Sequence, residues 1–258
     1  VLARRDVWRG REPHATAPTV ATGWCVLDEA LPGGGWPLGA LTEVCCEHDG
    51  LGELSLVMPA LARLAGEDRW IGFVAPPHPL YAPALAQAGL ALDRCLIVGG
   101  KQGSTPGPRA QGPVAGAARV SASLGPGPYA LGPGSLWAAE QLLRGGACAA
   151  VLLWSADEDP QALRRLQLAA EAGGALALLY RPAQAARRVS PAALRLRMGA
   201  GRAVEIFKCR GTTLHAGHGL RFEIDVDVLL RSTSLSYASP RVVNAPNVHA
   251  KSLCHSNC

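Results

Sequence analysis

TGWCVLDEALPGGGWPLGALTEVCCEHDGLGELSL, residues 22–56, is the stretch from which the architecture follows. Asp28 to Leu31 reads as the end of a short helix. Gly33-Gly34-Gly35-Trp36-Pro37 is a turn-rich break, because glycine tolerates the tight reversal that other residues resist. Leu41 to Cys45 then forms a short apolar strand, and Gly50 to Ala65 a helix with Leu54, Leu56, Val57, Leu61 and Leu64 on its apolar side. Pro59 lies inside that run and is expected to kink or split the helix. A strand thus delivers a glycine-bearing loop to a helix N-terminus.

Outward from this unit the alternation continues. Trp70–Ala75 is an unbroken apolar strand, Pro79–Ala88 a helix closed by Gly89, and Cys95–Val98 another strand. Leu136–Arg144 reads as a helix, Ala149–Trp154 as a strand, Pro160–Ala172 as a helix and Ala175–Tyr180 as a strand. Unbroken apolar strands separated by helices predict a parallel sheet covered on both faces. After Pro182 the character changes. Leu194–Met198, Ala203–Cys209 and Leu220–Val228 look like antiparallel strands with one wet face, since Arg195, Arg197, Glu205, Lys208, Arg221 and Glu223 alternate with apolar residues.

Three segments stand outside this rhythm. Residues 1–21 read as a polar arm, in which Trp8 beside Arg9 is a candidate anchor for a partner. Within the α/β domain, 22–230, Lys101–Pro133 is dense in Gly, Pro, Ala and Ser, and a flexible insertion is expected. Residues 231–258 lack periodicity and read as a disordered tail.

Composition sets broad limits. The 258 residues are 48% hydrophobic and 17% charged with a formal charge of +5, which suits a large core and is compatible with nucleic acid without demanding it. No apolar run of about 18 residues suggests a membrane span, and Val1–Thr22 has no signal-peptide pattern, so a cytoplasmic protein is expected. Cys25, Cys45, Cys46, Cys95 and Cys148 lie in or beside apolar segments and read as small hydrophobes. The Cys254-His255-Ser256-Asn257-Cys258 tail matches no common zinc spacing, so no metal is expected. The seven histidines form no HExxH pair or nucleophile triad, and His48 beside Cys46 and Asp49 is the nearest approach to a constellation.

The loop can be compared with what nucleotide chemistry needs. A working phosphate loop, GxxxxGK[ST], uses its Lys on the β- and γ-phosphates and its hydroxyl on Mg²⁺. Placing the second glycine on Gly52 puts Glu47 at the first glycine position, Glu53 at the Lys position and Leu54 at the Ser/Thr position, with Gly50 between. A carboxylate in place of that cation, about 4 Å from a phosphate, opposes binding by several kcal/mol in a partly buried site. The metal-holding Asp expected at the end of a central strand is also missing. The apolar run Ala149–Leu153 leads into Trp154-Ser155, and Asp157 and Asp159 fall where they favour the next helix N-terminus. No catalytic residue and no cofactor are expected.

Thr22-Gly23, Leu27-Asp28, Gly33 to Gly35, Pro37, Gly39 and Glu43 resemble the start of the RecA-type ATPase core. Together with GLGELSLVMPALARLAG, RWIGFVAPPHPLYAPALAQAGL, LWAAEQLLRGGACAAVLLW and LRRLQLAAEAGGALALLYRP, the pattern looks like the ImuA family of translesion-synthesis accessory proteins. These are RecA-like proteins related to the cell-division inhibitor SulA. The resemblance implies an α/β fold: a RecA-like, P-loop-type core with a mainly parallel twisted sheet flanked by helices and C-terminal antiparallel strands. It also implies a non-catalytic role in SOS-induced DNA-damage mutagenesis. The implied partners are an ImuB-like Y-family polymerase homologue and an error-prone replicative-type polymerase, with RecA as a further candidate and no membrane. The alternative is a SulA-like inhibitor that binds the division-ring protein.

Overall fold

The computed structural model describes residues 18–66, 68–99, 118–120, 133–155, 159–200, 203–211 and 220–223. The chain opens with β1 (Thr19–Val20), α1 (Cys25–Ala30) and β2 (Trp36–Pro37), and β1 and β2 pair as a small antiparallel ribbon. It continues through β3 (Ala40–Cys46), α2 (Glu53–Leu64), β4 (Trp70–Val74), α3 (Ala82–Gln87), β5 (Cys95–Val98) and β6 (Ala118–Val120). Then come α4 (Pro133–Arg144), β7 (Cys148–Trp154), α5 (Pro160–Gly173), β8 (Leu176–Pro182), β9 (Leu194–Met198), β10 (Ala203–Cys209) and β11 (Leu220–Glu223).

The main sheet has nine strands in the order β11-β10-β9-β3-β8-β7-β4-β5-β6. The seven strands from β9 to β6 are mutually parallel, and β10 and β11 extend one side antiparallel. The protein is therefore α/β, with a mostly parallel sheet flanked by helices. The two faces of the sheet carry separate cores because side chains alternate along a strand. Leu152, Leu176, Leu178 and Tyr180 join Trp24, Leu27, Leu56 and Leu61 of the α1–α2 side. Val151, Leu153, Ala177 and Leu179 join Ala139, Leu143, Leu163 and Leu166 of α4 and α5. Among the described residues no helix is long and apolar enough to cross a membrane.

Several sequence expectations change here. α2 begins at Glu53, not Gly50, because Gly52 is left-handed (φ 89°) and stands as the N-cap. Pro59 neither splits α2 nor ends it. The ring has its own room: Gly23 (φ 88°) has no side chain, and a Cβ there would collide with Cβ of Pro59. One turn away, the Leu56 carbonyl accepts the Trp24 indole N–H at 2.8 Å, which ties α2 to the start of α1. α3 is shorter than the predicted Pro79–Ala88 run, starting only after Tyr81. Within the expected insertion, Ala118–Val120 pairs in parallel with β5. Lys101, Arg109 and most of 101–133 lie outside the described residues, as do Trp8, Arg9 and 231–258.

The C-terminal strands pair antiparallel as expected, β9 with β10 and β10 with β11. On its other side β9 lies parallel to β3, with Glu43 opposite Arg195. Arg195 is buried, not on a wet face. A strand inserted beside the central β3 is covered on both sides, so a charge in it needs a buried partner.

Candidate functional site

The entry to the site is built by Thr22, Gly23 and Asp28. The Asp28 carboxylate accepts the Thr22 backbone N–H at 2.7 Å, and the Thr22 hydroxyl accepts the Trp24 N–H at 3.0 Å. This fastens the turn before α1 and buries Trp24 under α2. β3 then runs through the middle of the sheet and ends at Cys46, from which residues 47–52 turn into α2. Strand, turn and helix lie at the carboxyl end of parallel strands, where ligands of open α/β sheets are bound.

Gly50 (φ 83°) and Gly52 (φ 89°) both take left-handed conformations that allow the turn to close. Leu51 and Leu54, both partly buried, pack against the α1–α2 core. Glu53 is only 9% exposed. Its Oε1 accepts the Gly50 N–H at 3.3 Å, while Oε2 is buried without a hydrogen-bond partner among the described residues. Tyr180 donates its hydroxyl to the Glu53 carbonyl at 3.2 Å and stacks on Trp154, ring centroids 4.8 Å apart. Burial, then the neighbouring Cys46 and Glu53, raises the Tyr180 pKa well above its ordinary value. The Cys46 thiol is raised too, by burial first and then by Glu53.

Gly50, Gly52, Glu53 and Leu54 lie together at the head of α2, and Glu47 points elsewhere. Its Oε2 accepts the Ala200 N–H at 3.1 Å, bracing the turn after β9. His48 is exposed, with Nδ1 3.1 Å from the Asp49 carbonyl, while Cys46 is buried, so the three do not form a site. Among the described residues no group of three His, Cys, Asp or Glu side chains is placed to hold a metal ion. At the end of β7, Asp159 caps α5 by accepting the N–H groups of Gln161 and Ala162, and Asp157 lies outside the described residues.

A second polar cluster was not read from the sequence. Glu43, fully buried in β3, accepts Arg195 Nε at 2.8 Å, Arg181 at 3.4 Å and the Ser190 hydroxyl. Arg195 also donates from Nη1 to the Arg188 carbonyl and from Nη2 to the Ala185 carbonyl, both at 2.9 Å. Lys208 donates to the Ser190 carbonyl at 2.6 Å, and burial followed by repulsion from Arg195 and Arg210 lowers its pKa. The available signal was a charged residue inside an apolar strand, which is stable only when paired.

SulA from Pseudomonas aeruginosa is similar to part of this chain. Its crystal structure is 24% identical over 55% of this chain and 97% of that one, with a TM-score of 0.36. At that score the likeness bears no functional argument. No family model matches the chain, and no curated protein does.

Proposed function

We propose that the chain is a RecA-like scaffold without nucleotide chemistry, acting through protein contacts as an ImuA-like accessory factor of SOS-induced translesion synthesis. The observation that carries the non-catalytic part is Glu53: a buried carboxylate, folded back on Gly50, stands where a phosphate loop needs a Lys. Leu54, packed against the core, supports the same reading because it has no side-chain oxygen for Mg²⁺. The strand–turn–helix passage from β3 to α2 in a mostly parallel sheet supports the RecA-like part.

The translesion role rests on the resemblance of the sequence segments, and the proposed partners are the Y-family-like polymerase homologue, the error-prone polymerase and RecA. The SulA-like role, binding the division-ring protein, is the rival within the same class of function. Co-purification of the full chain with a Y-family-like polymerase partner is the expected result. Filamentation of undamaged cells on overexpression, with no polymerase partner recovered, would instead establish the division-inhibitor reading.

A further inference from the structure

The outer face of the α4–α5 pair carries apolar and basic side chains that neither core uses. Trp137 on α4 is 64% exposed and Leu168 on α5 is 48% exposed, two of the four large hydrophobic side chains that the described residues present to solvent. They belong to one patch. Trp137 stands one turn before Glu140, Leu168 stands one turn after Arg165, and Arg165 Nε meets the Glu140 carboxylate at 3.5 Å across the helix seam. Arg144 reaches the same carboxylate at 2.9 Å. Two arginines thus share one glutamate, and about half of each arginine stays exposed while Glu140 is largely covered. Arg164, also exposed, adds a third cation, and Glu171 is engaged by the Gln167 amide at 2.8 Å. The charge this face turns outward is therefore positive, around two apolar side chains.

We propose that this face docks an acidic amphipathic helix of a partner protein, whose apolar ridge packs on Trp137 and Leu168 and whose carboxylates meet Arg144, Arg164 and Arg165. The inference rests on the reading of the chain as a protein-contact scaffold and assigns that scaffold a surface. Charge complementarity selects the occupant. A second copy bound through the same face would set these arginines against their own counterparts, because a two-fold contact opposes a patch to itself. A nucleic-acid strand would find one ring to stack on, an aliphatic neighbour that offers none, and a carboxylate in the seam. An acidic helix matches every feature: guanidinium forks take carboxylates, and an apolar ridge at helical spacing takes the Trp and Leu.

The test follows a fluorescein-labelled helical peptide, with leucines on one face and glutamates flanking them, by anisotropy as full-length protein is added. The proteins are the wild type, Trp137→Ala, Leu168→Ser and the double variant Arg164→Gln, Arg165→Gln, each checked by a thermal melt. A peptide with lysines in place of the glutamates is the control, and labelled oligo-dT is the nucleic-acid probe. The wild type is expected to bind the glutamate peptide saturably, at least about tenfold more tightly than the lysine peptide. Trp137→Ala and Leu168→Ser should each weaken that binding about tenfold. The double variant should weaken it and flatten its dependence on salt. Should one variant not fold, the others decide. No saturable binding by the wild type, equal binding of the two peptides, or tighter binding of oligo-dT that the same variants abolish overturns the docking face. Recovery of the polymerase partner with the wild type and all variants alike also overturns the face and leaves the scaffold reading intact. Peptide binding that behaves as expected, with no polymerase partner recovered by the wild type, upholds the face and overturns the polymerase assignment.

Discussion

At the scale of single residues, two glutamates of one short stretch have opposite surroundings. Glu43 is enclosed by Arg195, Arg181 and Ser190, whereas among the described residues Glu53 has one backbone donor for two oxygens. The Glu43 cluster joins β3 to both of its neighbours, since Arg181 comes from β8 and Arg195 from β9. Breaking a buried pair leaves an uncompensated charge, which costs more than the pair contributes. Glu43→Gln should therefore destabilise the protein by about 3 kcal/mol. Urea denaturation followed by tryptophan fluorescence measures this, and a loss under about 1 kcal/mol would show that the arginines find other acceptors.

At the scale of elements, close approach decides where glycine is required. α5 is bounded by Asp159 at its N-cap and left-handed Gly174 (φ 64°) after its end. Gly173, one residue earlier, sits against α4 so closely that a Cβ would overlap the Leu143 carbonyl oxygen. Backbone cannot yield as a flexible side chain can. Gly174 has open space around its Cβ direction and only the left-handed backbone to satisfy. Gly174→Ala should cost about 1 kcal/mol, and Gly173→Ala should cost more than about 2 kcal/mol by overpacking. Denaturant midpoints of the two variants check the order, and equal losses would mean that α4 and α5 can slide apart. The Pro59 result belongs to this scale too: a helix-breaking residue by local rules is accommodated where Gly23, lacking a Cβ, leaves space for its ring.

At the scale of the whole molecule, both faces of the sheet bury thiols. Burial, the largest cause in each case, pushes Cys45, Cys95 and Cys148 up from the ordinary 9.0 to about 11. The folded protein therefore holds these protons where the unfolded chain has released them. Their contribution to stability is full below about pH 9 and is lost as pH rises through about 11. Denaturation midpoints across that alkaline range should fall steadily, and a flat profile would contradict the burial of these cysteines. The sequence by itself determined the α/β alternation, the parallel core covered on both faces and the absence of a cation at the head of α2. Each of these is local: hydrophobic period, glycine placement or the identity of one side chain. Only the tertiary structure decided that β9 lies parallel beside β3, that Glu47 leaves the loop for Ala200, and that Glu53 turns back onto Gly50. It alone also joined Glu43 to arginines 138 and 152 positions further along the chain. Such pairings depend on strand order and register, which are set by how distant segments pack and leave little trace in the spacing of residues along the chain.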